Sequence, residues 1–354
     1  MLERMTIMAG GTGGHVFPGL AIAEVFRERG VQVAWIGTEG GMEAEWVRRA
    51  GIPFDAIAIR GLRGKGLAGW LKAPWNVARA TMQARRILQQ QGAQAVLSMG
   101  GFVCGPGGLA AKTLGLPLFI HEQNAVPGLT NRLLAPFAQA VFAAFPLKHH
   151  SLGQRVQVVG NPVRREIVAV PPLTPHEPCH LLVVGGSRGA LALNETVPAA
   201  LALLPEGSRP EVWHQTGMAT YDAAVAAYAR HGIRARIEPF IDNMAQAYAW
   251  ADLVVSRSGA LTVSELMAAG RPAIMVPFPH AVDDHQRANA EVIEAIGAGT
   301  CIVQQALTPE RLAAALQDWC QSDRLMSAAE AMRAHARTDA AEKIVATIME
   351  YHAR

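Results

Sequence analysis

The chain has 354 residues, half of them hydrophobic, with 32 Lys+Arg against 29 Asp+Glu and a net charge of +3. That length favours two domains over one, and the 34 glycines and 21 prolines are dispersed, as short loops between regular elements require, which excludes a disordered chain. Residues 1–160 hold 16 basic against 8 acidic side chains and the remainder 16 against 21, so the first half should face something anionic.

The first nine residues reach glycines before they could build the apolar core of a signal peptide. No apolar run approaches the roughly 20 residues that cross a bilayer, so a cytoplasmic protein is expected. A strand ends at Ala9, Gly10-Gly11-Thr12-Gly13-Gly14-His15 follows, and Ile22, Val25 and Phe26 then fall at helical spacing. Gly30 should end that helix as a left-handed cap. Strands are predicted at 31–36, 54–59, 95–99, 118–120 and 140–143, with a helix at 75–91. Such alternation implies a parallel sheet covered on both faces.

Gly160-Asn161-Pro162-Val163-Arg164 and the proline-rich stretch 171–178 suit a linker, because few helices or strands survive such prolines. The pattern then restarts: an apolar run at 181–184, Gly185-Gly186-Ser187-Arg188-Gly189, a helix at 190–204, and strands at 211–214, 237–240, 253–256, 273–276 and 300–303. The fold expected is α/β, two Rossmann-like doubly wound parallel sheets in tandem. The expected domains are 1–161 and 162–338, with a helix at 339–354 free to pack back on the first. Cys104, Cys179, Cys301 and Cys320 lie far apart with no C-x-x-C pair, so free thiols are expected, and neither a zinc site nor a redox dithiol.

Glycine-rich turns from strand to helix let backbone N–H groups approach a phosphate at a helix N-terminus. Two stand at equivalent places in the two halves, 10–15 and 185–190. A dinucleotide fingerprint would need a glycine at 16, where Val16 stands, although Glu39 could mimic the ribose-binding acid. No P-loop lysine follows either turn. A third glycine cluster, 99–108, lies in a segment with eight basic residues and no acidic one between Asp55 and Glu122, and a phosphate-bearing acceptor could lie against its amides. His121-Glu122-Gln123-Asn124 closes a strand, and His121 with Glu122 reads either as a general base pair or as a structural hydrogen-bond cluster. In the second half Ala260, Leu261, Thr262, Val263, Ser264 and Glu265 open a helix whose first amides would favour a diphosphate. Glu265, one turn in, could accept hydrogen bonds from both ribose hydroxyls. Gln286 and Asn289, in the run that begins at Asp283-Asp284, are groups that read sugar hydroxyls; the paired carboxylates hint at a metal that no further ligand spacing supports.

Gly10 to His15, Gly-Leu-Arg-Gly-Lys-Gly at 61–66, the His-Glu-Gln-Asn run, the Gly-Asn-Pro-Val-Arg run, and Arg257-Ser258-Gly259 leading into 260–265 together resemble the MurG family over residues 9–300. That resemblance implies a GT-B glycosyltransferase with its two domains facing a cleft, an inverting mechanism, and no metal or other cofactor. The implied partners are UDP-N-acetylglucosamine, undecaprenyl-diphospho-muramoyl-pentapeptide, an anionic membrane surface and other cell-wall synthesis proteins, with no nucleic acid. It implies a peripheral protein on the cytoplasmic face of the bacterial inner membrane, working in cell-wall biogenesis, cell shape and division. Thr12, Gly13, Gly14, Asn124, Arg164, Ser187, Ile241, the run from Ala260 to Glu265, and Gln286 are the implied contacts to the sugar nucleotide. Ile241 would serve by its backbone against uracil, Glu265 would hold the ribose, and Asn194 would support the site. Arg188 and Phe102 depart from residues common in the family.

His15 is the first candidate for the base that activates the acceptor hydroxyl, with orienting a phosphate or the loop as its alternative role, and Glu122 with His121 is the second. Trp70, Leu71, Pro74, Trp75 and Val77, set among Lys65, Lys72 and Arg79, form a mixture suited to an anionic lipid surface, with ordinary core burial of the two tryptophans as the alternative.

Overall fold

The computed structural model describes residues 1–353 apart from Thr12, 60–66, 148–151, 153–155, Ser187, Arg188, His280, Val282 and Asp283, with backbone only for 67–72. The expectations for Thr12, Ser187, Arg188, Lys65, the 61–66 motif and Asp283, and for the side chains of Trp70, Leu71 and Lys72, lie outside the described residues. The chain divides into two compact units, Met1–Arg164 with Arg337–Arg354, and Arg165–Ala336.

The first unit is built on β1 (Arg4–Met8), β2 (Gln32–Thr38), β3 (Phe54–Ile57), β4 (Ala95–Ser98), β5 (Leu118–Glu122), β6 (Ala140–Ala143) and β7 (Val156–Val158). They form one parallel sheet in the order β3-β2-β1-β4-β5-β6-β7. Alternate residues serve opposite faces, the period of two that a sheet imposes. Met5, Ile7, Trp35, Leu97, Phe119 and Phe142 share one core; Met8, Ile36, Val96, Ile120 and Val141 share the other. Helices Gly13–Glu28 and Ala340–Ala353 pack on each other over the first core, to which the last helix contributes Ile344, Val345 and Ile348. Helices Leu67–Gln90 and Cys104–Thr113 cover the second. Gly30 takes φ +79° at the end of its helix, where an L side chain would be strained.

The second unit holds β8 (His180–Val184), β9 (Glu211–Gln215), β10 (Arg236–Glu238), β11 (Leu253–Ser256), β12 (Ala273–Met275) and β13 (Gly299–Cys301). Their order is β10-β9-β8-β11-β12-β13, again parallel throughout. The buried guanidinium of Arg271 donates to the carbonyls of Tyr248, Ala269 and Pro171, tying the proline-rich linker to the ends of helices Met244–Trp250 and Ala260–Ala269. A buried arginine persists here because its donors have backbone acceptors.

Both sheets reverse their strand order at one point, between β1 and β4 in the first unit and between β8 and β11 in the second. At such a point the loops leaving adjacent strands run to opposite faces and open a crevice at the carboxyl edge. The glycine turns 10–15 and 185–190 leave β1 and β8 at those two points.

Candidate functional site

In the first unit the turn after β1 and the turn after β4 meet backbone to backbone. Gly11 has φ +102° and Gly101 φ +91°, and a side chain at 101 would collide with the Gly10 carbonyl. Gly107 and Gly108 have another purpose. A Cβ there would strike the side chains of Met8 and Leu134, so these two glycines let helix Cys104–Thr113 lie close to its neighbours and are not part of an anion-binding turn.

Gly13, Gly14 and His15 form the first turn of helix Gly13–Glu28, all half-buried. Four N–H groups at such an end have no partner inside the helix. His15 Nδ1 lies 3.1 Å from Oε1 of Gln123. Gln123 is buried, and its Nε2 donates to the carbonyl of Met99 at 2.7 Å.

β5 runs two residues further than expected and takes in His121 and Glu122, both buried. His121 Nε2 lies 3.0 Å from the Gly160 carbonyl, and burial pulls its pKa down to about 4. A neutral imidazole in that place donates its Nε2–H to Gly160. The Glu122 carboxylate accepts from Asn124 N at 3.0 Å and Asn124 Nδ2 at 3.2 Å through Oε1, and from Gly128 N at 3.0 Å and Asn131 Nδ2 at 2.8 Å through Oε2. Four N–H donors occupy both oxygens of an acceptor-only group. These bonds give Glu122 a structural part: its carboxylate sets the loop that carries Asn124. Of the two readings of the His121 and Glu122 pair, the geometry favours the hydrogen-bond cluster. Arg164 belongs to this unit, its guanidinium 5.2 Å from the centre of the Phe17 ring.

In the second unit Gly186 and Gly189 take φ +82° and +76°, and a side chain at 189 would collide with the Thr216 carbonyl. Buried Asn194 donates to that same carbonyl at 3.2 Å, which pins the turn after β9 against the turn after β8. Ile241 is buried, and its N–H is already taken by Oε1 of Gln215 at 3.0 Å. A ligand would therefore meet Ile241 through its carbonyl.

Helix Ala260–Ala269 begins at Gly259 with no side-chain cap and ends at Gly270 in the left-handed conformation. Within 260–265 the side chains divide. Val263 is core, the Ser264 hydroxyl donates back to the Ala260 carbonyl at 3.0 Å, and Leu261 and Thr262 are half-buried. Glu265 is 5% exposed, and Tyr248 donates to its Oε2 at 3.2 Å. Gln286 Oε1 accepts from Phe278 N at 2.9 Å, which leaves its NH₂ to donate elsewhere. Buried Asn289 donates to the Ser258 carbonyl at 3.2 Å, so helix His285–Ala295 braces the turn that starts the 260–269 helix. Gln215, Tyr248 and Asn131 were missed by the sequence reading. None of the three stands in a motif that marks it, and only the fold shows what each supports.

Among the described residues one cluster has metal-ligand types, His176, His180 and Asp252. It lies at the amino ends of β8 and β11, the opposite edge from the glycine turns. The two imidazoles are stacked 3.9 Å apart and nearly parallel. Ring-nitrogen lone pairs lie in the ring planes, so two stacked rings cannot both point at one ion about 2 Å away. Asp252 instead accepts from the backbone N of His176 and of His180. Cys104 is buried, donates to the carbonyls of Met8 and Gly100, and has its thiol pushed up to about 11 by burial.

Residues 5–143 match the Glycosyltransferase family 28 N-terminal domain and residues 180–344 the Glycosyltransferase family 28 C-terminal domain. A UDP-N-acetylglucosamine–N-acetylmuramyl-(pentapeptide) pyrophosphoryl-undecaprenol N-acetylglucosamine transferase of Hydrogenovibrio crunogenus is 57% identical over 97% of both chains. The enzyme of the same name from Nitrosococcus oceani is 51% identical over 99% of both. The crystal structure of Acinetobacter baumannii MurG superposes with a TM-score of 0.83 at 40% identity, covering 98% of this chain and 99% of that one. A Listeria monocytogenes UDP-N-acetylglucosamine 2-epimerase structure, at 17% identity and a TM-score of 0.70, shares the fold alone.

Proposed function

The chain belongs to glycosyltransferase family 28, and from that premise we propose that it transfers N-acetylglucosamine from UDP-N-acetylglucosamine to the 4-hydroxyl of undecaprenyl-diphospho-N-acetylmuramoyl-pentapeptide, in peptidoglycan synthesis. The observation that carries this reading is the 57% identity, end to end, to a relative named for that reaction.

The second unit binds the nucleotide. The diphosphate lies against the first-turn amides of helix Ala260–Ala269 and the turn that contains Ser187, where backbone dipoles stabilise the charge that develops on the leaving group. Glu265 accepts from the ribose diol, with Tyr248 holding one of its oxygens. The Ile241 carbonyl accepts from uracil N3–H, and the Gln286 amide donates to a sugar hydroxyl. In the first unit Thr12, Gly13, Gly14, Asn124 and Arg164 serve the transferred sugar and its phosphates. His15 takes the proton of the muramoyl 4-hydroxyl as that oxygen attacks C1; the bond from C1 to the diphosphate oxygen breaks, the anomeric centre inverts, and UDP leaves. Metal plays no part in this scheme.

The protein works as a peripheral protein at the cytoplasmic face of the plasma membrane. No described helix is long and apolar enough to cross a membrane. What supports the surface role is a face of the first unit where helices Leu67–Gln90, Cys104–Thr113 and Leu129–Leu134 pack in sequence. Trp75, Met82, Leu109, Leu129 and Leu133 are exposed there, beside exposed Arg79, Arg86 and Lys112. Apolar insertion with a basic border is the chemistry of an anionic interface.

The decisive experiment measures UDP release with and without the lipid-linked muramoyl-pentapeptide, across several UDP-sugars. Release is expected only with that acceptor and UDP-N-acetylglucosamine together. Release of a free epimerised sugar without the lipid would sink the reading.

A further inference from the structure

We infer that Gln123 is a positioning residue for sugar transfer: it fixes His15 as the Nδ1–H tautomer and so leaves the Nε2 lone pair free to take the acceptor's proton. This rests on the proposed role of His15 as the base.

Met99 is the residue after β4. A backbone carbonyl accepts hydrogen bonds and cannot donate one. The 2.7 Å contact from Gln123 to the Met99 carbonyl must therefore come from the amide NH₂. That contact settles which end of the amide is which, an assignment that shape alone leaves ambiguous. The amide oxygen is then the atom 3.1 Å from His15 Nδ1. An amide oxygen is an acceptor, so Nδ1 carries the hydrogen, and the neutral ring keeps its lone pair on Nε2. In water a free imidazole prefers the other tautomer, so the protein imposes this one.

The surroundings hold the arrangement in place. Gln123 is 1% exposed, and Asn161 Nδ2 donates to its backbone carbonyl at 3.3 Å. Gly100, with φ +97°, leaves room for the imidazole: a Cβ there would sit 3.1 Å from its Cε1 and Nδ1. Two titratable groups on β5 lie near. His121 is neutral and engaged with Gly160, and the Glu122 carboxylate is turned to Asn124, Gly128 and Asn131. The acceptor that meets His15 Nδ1 is the Gln123 amide oxygen. Sequence reading passes over Gln123 because a glutamine has no proton to exchange; its effect comes from which end it turns to its neighbour.

The test uses the full chain with ¹⁵N-labelled histidine. Long-range ¹H–¹⁵N spectra at mildly alkaline pH report the tautomer of each ring, and the His15 signals are assigned by their loss in His15→Asn. The expected spectrum has a protonated Nδ1 and a bare Nε2; a protonated Nε2 in the unmutated protein would overturn the inference with no variant needed. In Gln123→Met, which keeps the volume and removes both bonds, the ring should move toward the Nε2–H form. Turnover should then fall on the order of 10²-fold while KM for the sugar nucleotide stays within about twofold. An unchanged tautomer, or a changed tautomer with unchanged kcat, overturns it. The tautomer is read without substrate, so failure of the unmutated protein to transfer sugar would refute the proposed reaction and leave the hydrogen-bond assignment standing on its own spectrum.

Discussion

Glu265 and Glu122 are both buried carboxylates within a few residues of a glycine-rich or amide-rich turn, and each is held by hydrogen bonds. Glu265 has Tyr248 on one oxygen. Replacing it with alanine should weaken UDP binding by about 1.5–3 kcal/mol, the usual worth of hydrogen bonds to a charged group, as read by calorimetric titration. Unaltered affinity would remove Glu265 from the donor site. Glu122 has four N–H donors on its two oxygens. Glu122→Ala should therefore act first on stability. Leaving those donors without an acceptor costs on the order of 3 kcal/mol, visible as a lowered midpoint in urea. A variant as stable as the parent but without activity would restore Glu122 as a base.

At the scale of elements, the helix Leu67–Gln90 shows how periodicity and exposure part company. Ala80, Ala84 and Leu88 face the core at i, i+4, i+8, while Trp75, 75% exposed, and Met82, 58% exposed, do not. Two large apolar side chains on the outer face of a helix call for a partner. The membrane role makes a specific demand on them. Trp75→Ala with Arg79→Glu should weaken sedimentation with vesicles containing anionic lipid by at least tenfold and leave UDP affinity unchanged, since both residues belong to the first unit and the nucleotide is proposed to bind the second. Equal binding by parent and variant would count against this face. For Trp75 the sequence left core burial open; the 75% exposure closes it. The side chain of Trp70 lies outside the described residues.

For the whole molecule, His121 in the first unit and His214 in the second are buried as neutral rings. Burial takes His121 down to about 4 and His214 to about 3. Both lie below the unfolded value near 6.5, so between these limits the unfolded chain binds more protons than the folded one. Their contribution is fully present above about pH 6.5 and is lost as pH falls through 4 for His121 and toward 3 for His214. The melting temperature should drop steadily across that window, and His121→Gln and His214→Gln should flatten the drop. A flat profile in the unmutated chain would refute it. Much of this architecture was legible in the sequence because parallel strands announce themselves as short apolar runs and glycine turns must follow them: the alternation, the two turns, the 260–265 helix and the last helix all stand where the residues indicate, within a few positions. Strand β7 was not, since its three residues, Val156–Val158, are too few to show a period. The sequence by itself determined the chemistry present at each carboxyl edge, because residue type and spacing along one chain decide which groups a turn can offer. Only the tertiary structure decided how those groups are used. Gln123 reaches His15 across 108 positions, and Glu122 spends its charge on Asn124, Gly128 and Asn131. A hydrogen bond is directional and its partner is set by folding, so its roles cannot be read from neighbours along the chain.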